Sequence, residues 1–100
     1  MENAKKLNKI VRENNKSFKI ELYKSDVGFK GHMDRYKITL IANEAIGYLD
    51  VAKDKDLFEW SDFDKNLFSE EELYGYNWEG QAFTDVYGEN FMGWVNHFNK

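Results

Sequence analysis

The chain contains no cysteine and no proline, and its only histidines are His32 and His97. Without cysteine there is no disulfide framework, no thiolate metal site and no thiol nucleophile. The two histidines stand far apart without a companion at metal-ligand spacing, so His and Cys cannot supply the four donors of a zinc site. No run of about 18 apolar residues occurs, which excludes a membrane-crossing helix. The opening MENAKKLNKIVRENNK lacks the uninterrupted apolar region of a signal peptide. Neither G-x-x-x-x-G-K nor G-x-G-x-x-G is present. These absences predict a cytoplasmic protein without cofactor, metal or catalytic residues, and no enzyme. Arginine is also scarce beside lysine, and asparagine is plentiful. Both lysine and asparagine are written in A/T-rich codons, which fits a low-GC bacterium or its phage, and then a host bacterial cytoplasm.

What the chain does have is rings and carboxylates. Its 100 residues are 42% hydrophobic and 17% aromatic, enough for one domain with a real core, 1–100, and too aromatic for disorder. The formal net charge of −4 hides a division: residues 1–49 hold ten Lys/Arg against six Asp/Glu, whereas residues 50–91 hold three against twelve. Two readings are open. Either the halves neutralise each other or stand as two solvated faces, or the acidic half offers a phosphate-like field to a basic partner. In DKDLFEWSDFDKNLFSEEELYGYNWEG the rings belong inside and the carboxylates outside, an acidic ridge on an aromatic base.

Along the chain, Ala4, Leu7, Ile10 and Val11 recur at helical spacing and predict an amphipathic helix over Glu2–Asn14, docked on a sheet. Ser17–Lys24 and Arg35–Ala42 alternate with period two, and with Ala45–Ala52, apolar on both faces as in a covered strand, they predict a three-stranded antiparallel meander. Gly28 and Gly31 mark a long, locally basic loop over Ser25–Asp34. Asp62–Phe68 and Glu70–Tyr76 read as short capped helical turns, the second with Ser69 and Glu72 in a capping box. From Gln81 to Asn99 the helical period returns, weakened at Gly88 and Gly93, and predicts a C-terminal helix packed on the sheet. The expected fold is therefore α+β: N-terminal helix, three-strand meander, acidic turns, C-terminal helix.

Asp62, Asp64 and Asn66 begin like a calcium loop, but Leu67 stands where Gly is required and Leu73 where the bidentate Glu belongs. The helix–strands–helix order is also that of double-stranded RNA-binding domains, yet Thr84, Asp85 and Glu89 replace their lysine cluster, so direct nucleic-acid binding is not expected.

In element order, size and charge distribution the whole chain resembles small acidic phage anti-CRISPR proteins, inhibitors of RNA-guided nucleases. No signature motif is shared, so no family residue carries over. The resemblance implies a non-enzymatic inhibitor whose acidic face mimics nucleic acid and blocks the basic DNA-binding cleft of a nuclease. The residues placed to do so are Asp54, Asp56, Glu59, Asp62, Asp64, Glu70, Glu71 and Glu72, with Trp60 and Tyr74 as anchors and Tyr76 or Trp78 adding ring area. Alternatives are an immunity or antitoxin protein neutralising a cognate basic toxin, and an accessory interaction domain without mimicry. The expected partner is a basic protein, with the chain itself a monomer or a homodimer joining oppositely charged halves.

Overall fold

Asn14 and Asn15 both adopt positive φ, 52° and 65°. Two consecutive left-handed residues make the type I′ turn that matches strand twist, and asparagine tolerates it better than most residues. The turn closes a hairpin between β1 (Asn8–Glu13) and β2 (Lys16–Val27), with Glu13 opposite Lys16 and Val11 opposite Phe18. The predicted N-terminal helix is thus corrected over Asn8–Glu13; Glu2 and Ala4 fall outside the residues that the computed structural model describes, 7–54 and 56–99. Strand pairing buries Val11 and leaves Ile10 65% exposed, so the apolar spacing that suggested a helix serves two opposite faces.

The remaining strands come in order: β3 (Met33–Leu40), β4 (Ile46–Ala52) and β5 (Phe58–Phe63). All pair antiparallel with their sequence neighbours, giving a five-stranded sheet β1-β2-β3-β4-β5 rather than a three-stranded one. The loop between β2 and β3 is shorter than expected, because β2 runs to Val27 across two register shifts. It closes through a single 3-10 turn, Phe29–Gly31.

β5 occupies part of the segment expected to form a helical turn at Asp62–Phe68. Phe58, Trp60 and Phe63 turn inward, and a bulge at Ser61 lets the ring spacing change from two to three. Only Lys65–Leu67 is helical there, as a 3-10 turn. Two α-helices follow among the described residues, α1 (Glu70–Tyr74) and α2 (Phe83–Phe98).

One face of the sheet holds the core. Val11, Phe18, Ile20, Tyr36, Ile38, Leu40, Leu49 and Val51 are buried there. α2 covers them with Tyr87, Phe91 and Val95, one residue per turn on a single stripe. Phe18 meets Phe91 edge to face at 5.0 Å between centroids, and Trp60 meets Phe68 likewise at 5.6 Å. Among the described residues, the opposite face has no helix over it.

Candidate functional site

The carboxylates predicted to form one ridge fall into separate groups, because β5 separates them. Asp54 and Asp56 stand exposed in the β4–β5 turn. A hydrogen bond that the protonated Asp56 carboxyl donates to Asp54, and then the Asp54 charge, push Asp56 above its ordinary range. Glu59 and Asp62 lie exposed on the uncovered sheet face, opposite Asp50 and Tyr48. Asp64 sits beyond the far end of β5, and Glu70 and Glu71 open α1. A strand of six residues spans about 20 Å, so the β4–β5 turn and the α1 end are remote from each other.

Two of the predicted contact residues belong to the interior. Trp60 is half-buried among Phe63, Phe68 and Phe91, and its Nε1 donates to the Thr84 carbonyl at 2.9 Å. Its indole fixes β5 to the start of α2. Glu72 is buried, and it is the centre of a polar knot. The Lys16 ammonium reaches Oε1 at 2.6 Å; the Asn14 amide and the Tyr87 hydroxyl donate to Oε2 at 2.7 and 2.6 Å. Ser69 N–H donates to Oε1 at 2.9 Å while Ser69 Oγ accepts from Glu72 N–H at 3.2 Å, which completes the predicted capping box. Burial pushes this carboxyl up, but the donors of Lys16, Tyr87, Ser69 and Asn14 outweigh it and hold the group at about 2. Burial, then the charge-bearing Glu72, pushes the Tyr87 hydroxyl well above the ordinary tyrosine range. Every oxygen of the Glu72 carboxylate is engaged inside the molecule, so it has none to offer a partner.

Glu13 makes a second such tie. Its carboxylate accepts from Trp94 Nε1 at 2.7 Å and Asn90 Nδ2 at 3.0 Å. Together the two glutamates fasten the N-terminal hairpin to both helices.

The other predicted residues face solvent. Asp64 Oδ1 caps the 3-10 turn by accepting from Asn66 N–H at 2.8 Å. Glu70 and Glu71 are exposed, and Tyr74 is 74% exposed on the same helix. Beside Glu70 and Tyr74 lies a shallow groove of about 330 Å³, lined also by Lys65, Asn66, Phe68 and Leu73.

Sequence reasoning marks the segment after α1 only as added ring area, and the structure gives it a larger role. Asn77-Trp78-Glu79-Gly80 is a β-turn signature, Asn first and Gly fourth. In the structure Asn77 Oδ1 accepts from the N–H groups of Glu79 and Gln81, both at 2.9 Å. Gly80 N–H donates to the Asn77 carbonyl, Asn77 N–H to the Gln81 carbonyl, and Tyr76 bridges Ala82. The loop is therefore held by its own hydrogen bonds, and at its tip Trp78 is 92% exposed, with Tyr76 69% exposed. No aromatic contact to Trp78 exists among the described residues. A large ring held out by an ordered loop is costly in water and gains most from being covered.

Among the described residues no three His, Cys, Asp or Glu side chains are arranged to hold a metal ion. His32 Nδ1 lies 2.6 Å from the Phe29 carbonyl, and His97 packs on Trp94 and Phe98. Among the described residues no helix is long and apolar enough to cross a membrane. No family model, no curated protein and no solved structure matches this chain.

Proposed function

We propose that the chain is a non-enzymatic inhibitory binding protein that docks its α1–α2 end on a basic protein surface, such as the nucleic-acid cleft of an RNA-guided nuclease. The observation that carries this reading is Trp78, 92% exposed on a loop ordered by its own hydrogen bonds, with Glu79 next to it in the chain and Glu70 and Glu71 exposed on the helix that precedes the loop. Tryptophan is enriched among residues that dominate binding, because it gives large contact area for little entropy. Carboxylates around it steer a cationic partner and set its orientation. Glu72 and Trp60 support the platform from within. Asp54 and Asp56 lie at the opposite end of β5 from Asp64, so the contact is an anchored acidic tip rather than a continuous string of phosphate mimics.

The test is inhibition of target-DNA cleavage by purified RNA-guided nucleases from low-GC bacteria, at low and high salt. The expected result is inhibition that weakens with salt, and that falls at least tenfold in Trp78→Ala and in the double variant Glu70→Lys/Glu71→Lys. Inhibition indifferent to both changes overturns the reading, as does no inhibition across the panel.

A further inference from the structure

Between the N-terminal hairpin and the first turns of α2 lies a cavity of about 280 Å³. Phe83, Val86 and the ring of Tyr87 give it an apolar wall, and Glu13, Asn14 and Asn90 a polar one. Phe83 also closes the foot of the Trp78 loop, where its N–H donates to the Gly75 carbonyl at 3.2 Å. The cavity therefore borders the foot of that loop. Sites for drug-sized ligands begin at about 300 Å³, so this one suits a single side chain or a small fragment.

Its charge is unbalanced. The β1–β2 register sets Lys16 opposite Glu13, yet the Lys16 ammonium lies 2.6 Å from Glu72 Oε1. Among the described residues Glu13 takes part in no ion pair. Two carboxylates, Glu13 and Glu72, thus share one described cation, and one negative charge is left beside the cavity. The donors to Glu13 are neutral: Asn90 Nδ2 bonds Oε1 and Trp94 Nε1 bonds Oε2. A carboxylate has about four lone-pair sites, so among the described residues one stays open on each oxygen.

Two such sites match the two parallel N–H groups of a guanidinium. An ammonium holds its water more tightly, and it does not stack as a planar cation does on rings such as Phe83 and Tyr87. An anion would be repelled by Glu13, and a neutral apolar group would cover its charge without pairing it. We infer that this cavity is a binding site for a guanidinium group, filled by an arginine side chain of the basic partner. The identity of that occupant rests on the proposed function, to which the cavity adds a charge-specific anchor beside Trp78's loop.

The test is a titration of isotope-labelled protein with N-acetyl-argininamide, followed by NMR. The reporters are the Trp94 indole and the Asn90 side-chain amide, which both donate to Glu13. The expected result is saturable shifts of both signals, with a dissociation constant on the order of 1 mM. N-acetyl-citrullinamide, similar in shape but uncharged, should bind at least tenfold more weakly. Glu13→Gln should weaken the arginine compound at least tenfold. Val86→Phe, which fills the cavity and leaves Glu13 and its donors in place, should do the same with unchanged circular dichroism, whereas Trp78→Ala leaves the constant unmoved. Absence of saturable shifts overturns the inference. So does equal binding of the citrulline compound, or binding that survives Val86→Phe. The titration uses no nuclease and so separates the two readings. Saturable binding beside a nuclease panel without inhibition overturns the inhibitory reading and leaves the guanidinium site standing. Inhibition that Val86→Phe leaves intact overturns the arginine pocket and leaves the Trp78 tip standing.

Discussion

At Glu72 two tendencies oppose each other, and the outcome sets a pH dependence. Burial favours the protonated acid, whereas Lys16, Tyr87, Ser69 and Asn14 all donate to the carboxylate and hold it ionised down to about 2. The folded value lies below the unfolded one, so the stabilisation is complete above about pH 4.5 and is lost as pH falls from there toward 2. Glu72→Gln keeps the shape but removes the charge from beside Lys16. It should cost about 2–4 kcal/mol at pH 7 by urea unfolding, with the gap to wild type narrowing below pH 4. A gap constant from pH 7 to pH 3 would show that the charge is irrelevant. The Ser69–Glu72 capping box was legible from spacing alone. Lys16 and Tyr87 were not, since nothing local says that residues 56 and 15 positions away converge on the same carboxylate.

At the scale of elements, the two glycines of α2 have opposite meanings. A Cβ at Gly88 would lie 2.3 Å from Phe58 Cε1, so the helix needs that gap to lie close against β5. A Cβ at Gly93 meets nothing within 4 Å. Gly88→Ala should therefore destabilise by about 1–3 kcal/mol despite its gain in helix propensity. Gly93→Ala should stabilise by up to about 1 kcal/mol. Thermal melts of the two variants moving in the same direction would refute this. Helical periodicity located α2 well because Tyr87, Phe91 and Val95 all face one core. The same cue failed at β1, where Leu7, Ile10 and Val11 imitate a helical stripe over too few residues to distinguish it from an edge strand with both faces partly apolar. The overlooked signal was Asn14-Asn15, a I′ turn pair without its usual glycine. At β5 the bulge broke the alternation, and acidic residues beside possible caps imitated a helix start. Among the candidate site residues, the exposure of Glu70, Glu71 and Tyr74 followed from reading this polar stretch outward. Trp60 and Glu72 were misplaced because burial is decided by partners distant in sequence.

For the whole molecule, the ties from Glu13 to Trp94 and from Asn14 to Glu72 join the N-terminal hairpin to the C-terminal layer. A chain so closed, without disulfides and with one main core cluster, should unfold in a single cooperative step. The emission of Trp60 and Trp94, tracked in a Trp78→Phe variant, and far-ultraviolet circular dichroism should give coincident urea transitions. Separated midpoints would mean that the hairpin or α1 opens on its own. The ordered loop also has an optical consequence. Trp60 and Trp94 are half-buried and hydrogen-bonded, whereas Trp78 is bathed in solvent. Only the third indole should glow at the red edge and be readily quenched by iodide, so whatever seats itself on that tip will announce itself by a shift to the blue, with no label attached.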